Sequence, residues 1–105
     1  MFTNNQPETI AGTSLQGYLT ANYSDLKKLF GTPNNGDGYK VDAEWLLMTP
    51  AGVATIYNYK DGKNYCGNEG TPKTKITDWH IGGDNTEVVE IIQSVYEAYL
   101  LGKNN

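Results

Sequence analysis

The strongest constraint on the fold is the alternation of apolar and polar side chains along residues 39–49. One side of this segment carries Val41, Ala43, Trp45 and Leu47, and the other side carries Lys40, Asp42 and Glu44. Strict alternation is typical of a strand with one buried and one wet face. Pro50 and Gly52 then give a turn signal, because proline presets φ early in a turn and glycine closes it without strain. We predict a β-hairpin over residues 39–60, with residues 53–59 as its return strand.

Two further segments are predicted to be strands. Residues 14–21 alternate, with Leu15, Leu19 and Ala21 on one side and Ser14, Gln16, Tyr18 and Thr20 on the other. Residues 75–82 are predicted to form a short final strand, which Gly82 and Gly83 close with a tight turn. Residues 61–75 contain three glycines and one proline and are predicted to be a long surface loop.

Two segments have helical periodicity. The first begins at Asn22 as a predicted N-cap, with Asp25 three residues later, and ends at Gly31. The second begins with Asp84 and Glu87 as an acidic variant of the capping box and ends near residue 101. Its apolar residues recur at helical spacing, as Val88, Ile91, Ile92, Val95, Tyr96 and Tyr99.

The order strand, helix, strand, strand, strand, helix predicts a two-layer α+β fold. We expect a mainly antiparallel sheet of about four strands with two helices on one face, because each helix is apolar on one side only. The opposite face is left to water or a partner, and we call it the open face. Residues 13–102 form the single predicted domain, between a loose N-terminal arm at residues 1–12 and a polar tail at residues 103–105.

Composition restricts the classes of partner. All eight basic residues are lysine, and the net charge is −4 with a pI of about 4.7. Sequence-specific nucleic-acid binding is therefore not expected, since arginine is the residue that reads guanine edges and clamps phosphates. The single cysteine excludes a disulfide framework, and no stretch is long and apolar enough for a membrane helix. We expect a cytoplasmic protein that uses no cofactor and has no membrane partner.

The most informative motif is residues 78–83, Asp-Trp-His-Ile-Gly-Gly. Alternation along a strand turns Trp79 and Ile81 inward and projects Asp78 and His80 from the open face. His80 is the only histidine of the chain. The same parity argument gives the full set of candidate binding residues on the open face: Gln16, Tyr18, Glu44, Thr55, Tyr57, Asp78 and His80.

The sequence is compatible with several roles for His80 and its neighbours. His80 can be a structural partner of Asp78, a contact for a ligand or protein, or a base oriented by Asp78. A metal site would need Asp78 and His80 to converge with Asp42 and Glu44, and no paired-ligand motif supports it. Gly82 and Gly83 before a helix resemble an anion cradle, but Asp84 would repel a phosphate there.

Five stretches form a longer pattern: residues 12–18 (GTSLQGY), residues 29–31 (LFG) with Pro33, residues 44–45 (EW), residues 54–57 (ATIY) and residues 78–83 (DWHIGG). This pattern resembles a group of short proteins of tailed bacteriophages, mostly without an assigned function. The resemblance spans about residues 12–95 and brings no catalytic residue. It implies a phage setting, in which small acidic proteins often inhibit host defence, as anti-CRISPR proteins do.

These observations predict a non-enzymatic, phage-type binding protein that acts on a host defence effector through its open face and the loop at residues 61–75. The second hypothesis is an oligomeric sponge that holds a nucleotide between tyrosines. The third is a small hydrolase that uses His80. A large tyrosine-rich pocket on the open face would favour the sponge, and a flat polar face with an apolar centre would favour a protein partner.

Overall fold

The computed structural model of the chain describes residues 13–103. The predicted arm at residues 1–12 and the last two residues of the predicted tail lie outside the described residues. The strands are β1 (Ser14–Thr20), β2 (Glu44–Thr49), β3 (Gly52–Tyr57) and β4 (Asp78–Gly83). The helices are α1 (Tyr23–Phe30), α2 (Lys63–Cys66, a single turn) and α3 (Glu87–Lys103).

The four strands form one antiparallel sheet in the order β1-β4-β3-β2. One face of the sheet packs against α1 and α3, and the shared core is continuous from the sheet into both helices. Its largest fully buried side chains include Trp45, Trp79, Leu26 and Ile92. The predicted α+β fold, with an antiparallel sheet covered by helices on one face, is confirmed.

The hairpin has the predicted turn but a shorter first strand. Thr49 pairs with Gly52 across Pro50-Ala51, and Gly52 takes a φ of 115°, which favours glycine. Residues 39–43 were predicted to be strand and are not. Instead, Oδ1 of Asp37 accepts the backbone N–H groups of Tyr39, Lys40 and Val41 at 2.8, 2.9 and 3.0 Å. This side-chain turn competes with a strand ladder for the same donors.

A β-bulge in β1 corrects the predicted parity at the start of that strand. Leu15 pairs with Gly82 and Gly17 pairs with Ile81, so Gln16 is an extra residue without a partner. Leu15 was predicted to face the core, but opposite Gly82 it lies on the open face and is 46% exposed. The Gln16 amide donates to Ser14 Oγ at 3.1 Å and to the Gly83 carbonyl at 3.0 Å.

Gly82 and Gly83 lie inside the sheet, which corrects their prediction as a tight turn. Gly82 pairs with Thr55 on one side and Leu15 on the other. A Cβ at Gly82 would lie 2.6 Å from Thr55 Oγ1, and one at Gly83 would lie 2.7 Å from a methyl carbon of Val88. Both glycines are therefore required by close packing, one on each face of β4.

The ends of the helices differ from the predicted capping. The Asn22 side chain makes no capping hydrogen bond, although Asn22 is the N-cap residue of α1. At α3, Oδ1 of Asn85 accepts the Glu87 N–H at 3.0 Å, so Asn85 rather than Asp84 caps this end. At its other end α3 includes Lys103, which was predicted to be in the tail.

The predicted loop at residues 61–75 contains α2 and two short 3₁₀ turns, Gly67–Glu69 and Lys73–Lys75. Within residues 13–103, no helix has the length and apolar character that a membrane crossing requires.

Candidate binding face

Three rings stand side by side across the open face. Tyr18 of β1 pairs with His80 of β4, and His80 pairs with Tyr57 of β3. The ring centroids of Tyr18 and His80 are 5.1 Å apart, edge to face, and those of Tyr57 and His80 are 5.4 Å apart. Tyr59 follows β3 and brings a third tyrosine ring to 5.5 Å from the imidazole. We call Tyr18, His80, Tyr57 and Tyr59 the aromatic row.

The surroundings of His80 are mainly aromatic. Partial burial lowers the pKa of His80 below its ordinary value of 6.5, and the field of Asp61 opposes this only in part. The lowered pKa favours the uncharged form of this half-buried ring, whose nitrogen atoms can take part in hydrogen bonds.

The next row of the open face is packed more tightly. Thr55 is buried between Gly82 and Leu46, with which it pairs on either side, and Leu46 is fully buried. Glu44 pairs with Tyr57 at the β2 end of the aromatic row. Burial raises the pKa of the Glu44 carboxyl above its ordinary value. This part of the face is therefore closed to solvent at Thr55 and Leu46, and a partly desolvated carboxylate lies at the β2 end of the aromatic row.

The structure brings together most of the predicted site residues. Tyr18, Tyr57 and His80 are in direct contact, Glu44 and Thr55 lie next to them in the ladder, and Asp78 is exposed opposite Thr20 on the same face. Gln16 does not join them, because the bulge commits its amide to Ser14 and Gly83. Asp42 does not join them either, because its carboxylate accepts hydrogen bonds from Asn58 and Asn64.

A second aromatic group lies beyond the end of β3 and was not predicted. Tyr39 and Tyr65 have ring centroids 5.4 Å apart. Lys60 Nζ lies 5.3 Å from the centroid of Tyr59 and 5.4 Å from that of Tyr65, and Lys40 Nζ lies 5.6 Å from the centroid of Tyr39. We call Tyr39, Lys40, Lys60 and Tyr65 the tyrosine–lysine patch, which joins the aromatic row through Tyr59.

Buried Asn58 holds the loops that carry this patch. Its side-chain oxygen accepts the N–H groups of Asp42 and Ala43 at 2.8 and 3.1 Å. Its amide group donates to the carboxylates of Asp42 and Asp61 at 2.9 and 3.0 Å. The second Asp42 oxygen accepts the Asn64 N–H at 3.1 Å. One side chain thus fixes residues 42–43 against residues 58–64. The only available sequence signal is an amide residue at an inward position of the return strand.

Metal binding and a small-molecule pocket at the aromatic row have little structural support within residues 13–103. Residues 13–103 contain no group of three or more His, Cys, Asp or Glu side chains arranged to hold a metal ion. Two grooves of about 460 and 520 Å³ lie elsewhere, one between β1 and α3 and one beside α1. Only Tyr18 of the aromatic row lines either of them.

No protein-family model, curated protein or solved structure matches this chain.

Proposed function

We propose that this protein is a non-enzymatic binding protein that docks on another protein through the aromatic row. The observation that carries this proposal is the contact of Tyr18, Tyr57 and Tyr59 with His80 on the sheet face opposite α1 and α3. Tyr18 is 62% exposed and Tyr59 is 40% exposed. Tyrosines of this kind are enriched at interfaces, since they bury a large area at a low cost in side-chain entropy.

The shape of the face supports a protein over a small molecule. A small-molecule site encloses most of its ligand in a concave pocket. The two grooves described above share only Tyr18 with the aromatic row. The aromatic row has a composition typical of an interface centre, because its rings include the exposed Tyr18 and Tyr59.

The resemblance to short phage proteins supports a bacterial defence protein as the partner. Such an inhibitor would act by occupying a surface that the effector needs and would require no catalytic residue of its own. His80 would contribute hydrogen bonds from an uncharged ring and would not act as a base. This is consistent with its largely aromatic surroundings.

Site-specific photo-crosslinking in bacterial cells tests the proposal. Tyr18 is replaced by p-benzoylphenylalanine, and the matched control carries the same replacement at Ser94, an exposed residue of α3. We expect one dominant protein adduct at Tyr18 and none of that mass at Ser94. Affinity of the isolated adduct partner for Tyr18→Ala should then fall by about 30-fold, the loss of a hot-spot tyrosine. Equal adducts at both positions, or unchanged affinity, would refute the proposal.

A further inference from the structure

We infer that the tyrosine–lysine patch binds an acidic segment of the partner protein, with carboxylates meeting the ammonium groups of Lys60 and Lys40. This inference deepens the proposed function and rests on it, because it assigns a partner chemistry to the part of the surface next to the aromatic row.

Lys60 is held in place by an unusual backbone. Its φ of 61° makes it the one non-glycine residue with positive φ among residues 13–103. Lys60 N–H donates to the Lys40 carbonyl at 2.8 Å, and the Cys66 thiol donates to the Lys60 carbonyl at 3.2 Å. L residues rarely adopt this conformation, and such residues are concentrated at functional sites. Here it places the ammonium group between the rings of Tyr59 and Tyr65.

The carboxylates and the lysines of these loops lie in different positions. The nearby carboxylates are engaged by the loops themselves: Asp37 holds three backbone N–H groups, and Asp42 and Asp61 accept from Asn58. The lysines lie outside, over the rings. In the described part of the chain, the ion pair is Lys103 with Asp25, far from the patch in sequence. Within residues 13–103, Lys40 and Lys60 take part in no ion pair, so their ammonium groups are left for the carboxylates of a partner.

Lysine ammonium groups already lie near the tyrosine rings of the patch, which favours a carboxylate ligand over a nucleobase. Tyr39, Tyr59 and Tyr65 each have an ammonium group near the ring face at 5.3–5.6 Å from the centroid. Base stacking needs an open ring face, and each of these rings already has an ammonium group near one of its faces. A carboxylate needs only an ammonium group that its ring holds in position. A peptide in which acidic side chains stand next to apolar ones matches this arrangement, because each lysine ammonium group of the patch lies beside a tyrosine ring.

An NMR titration of the ¹⁵N-labelled full chain tests this inference. The probe is a synthetic peptide of alternating Glu-Glu and Phe, and its matched control has Gln in place of every Glu. We expect the acidic peptide to shift the amide signals of Tyr39, Lys60 and Tyr65, and the neutral peptide to leave them unchanged. The binding should weaken as ionic strength rises.

Two variants make the test specific. Lys60→Asn removes the ammonium group with a residue that tolerates the left-handed backbone, and we expect about fivefold weaker peptide binding. Lys28→Gln, on an exposed residue of α1, should change nothing. Equal shifts with both peptides, an unaffected Lys60→Asn variant, or the absence of shifts would overturn the inference.

A third probe, an eight-residue thymidine oligonucleotide, addresses the competing ligand class. Shifts at the patch with this probe but not with the acidic peptide would overturn the inference in favour of single-stranded nucleic acid. The crosslinking at Tyr18 separates this result from the proposed function. An adduct at Tyr18 without peptide binding at the patch refutes only the acidic partner segment, whereas loss of the specific adduct refutes the binding function itself.

Discussion

Trp45 and Trp79 meet edge to face beneath the sheet, with ring centroids 5.3 Å apart, and their indole N–H groups hold the two ends of α1. Trp79 Nε1 donates to the carbonyl of Ala21, just before α1, at 2.9 Å. Trp45 Nε1 donates to the carbonyl of Gly31, just after α1, at 2.7 Å. Burial of the two indoles on one face of the sheet leaves His80 on the other. The same pair of residues therefore anchors α1 and sets the parity of the open face.

The two tryptophans should differ in what they contribute to stability. Trp79→Phe removes an indole N–H from a buried hydrogen bond, and an orphaned buried carbonyl costs about 1–3 kcal/mol. Trp45→Phe removes an equivalent bond to Gly31, which is exposed and whose carbonyl water can reach. We expect Trp79→Phe to lower the free energy of unfolding more than Trp45→Phe, measured by urea denaturation. Equal losses would show that lost ring volume, not the hydrogen bonds, sets the cost.

The buried charge of Asp25 should destabilise the fold unless Lys103 is present to pair with it. Asp25 is buried in α1, and its Oδ1 accepts from Lys103 Nζ at 2.8 Å and from the Tyr99 hydroxyl at 3.2 Å. The Lys103 hydrogen bond, with the smaller effects of its charge and of Tyr99, outweighs burial and lowers the pKa of Asp25 below 3.8. Its stabilising effect is therefore fully present above pH 3.8 and is lost as the pH falls through the lower folded-state pKa.

A double-mutant cycle tests this pair. Lys103→Met leaves a buried carboxylate without its cation, so the melting temperature at pH 7 should fall. Asp25→Asn in the same chain removes the unpaired charge, so the double variant should melt higher than Lys103→Met alone. Lys28→Met, on an exposed lysine of α1, serves as the control. A Lys103→Met protein that melts like the wild type would contradict the assignment.

Gly82 should tolerate no side chain while Thr55 is present. A methyl group at this position would lie 2.6 Å from Thr55 Oγ1 and 3.4 Å from a ring carbon of Tyr57. Because Thr55 is buried, Gly82→Ala should cost about 1–3 kcal/mol of unfolding free energy, as overpacking generally does. Thr55→Ala removes the obstructing atom, so the double variant should lose less than the two single losses combined. Strict additivity of the two changes would show that the contact is not the cause.

The sequence was sufficient to predict the fold because burial on a sheet repeats every second residue. This periodicity gave the hairpin, the inward tryptophans and the outward His80 and Tyr57. It failed at Leu15 and Gln16, because a bulge shifts the backbone by one residue without changing the pattern of side-chain types. Side-chain alternation therefore predicts faces reliably only where the ladder is regular.

The tyrosine–lysine patch could not be predicted for a different reason. Its members lie on the two segments that flank the β2–β3 hairpin, and the hydrogen bonds of Asn58 fix these segments against each other. A hydrogen-bonding hub of this kind has no periodic signature, and an isolated asparagine at a strand end ordinarily indicates a turn. Lys60 likewise gave no sign of its left-handed backbone, since that conformation is usually left to glycine or asparagine.

The protonation of His80 should reveal what the tyrosines around it do. Burial favours the neutral imidazole and lowers its pKa, whereas three tyrosine rings at 5.1–5.5 Å would attract an imidazolium and raise it. We expect burial to dominate, so that the single histidine titrates below pH 6.5 in a ¹H NMR titration of its ring protons.

A folded-state pKa below the unfolded one means that the unfolded chain binds the proton more readily. Stability should then fall as the pH drops below about 6.5, and the wild type should lose more in melting temperature between pH 7.5 and 5.5 than His80→Gln does. A measured pKa above 6.5, with the opposite trend in melting temperature, would mean that the rings act as a cage for a cation and that the face meets its partner as a charged surface.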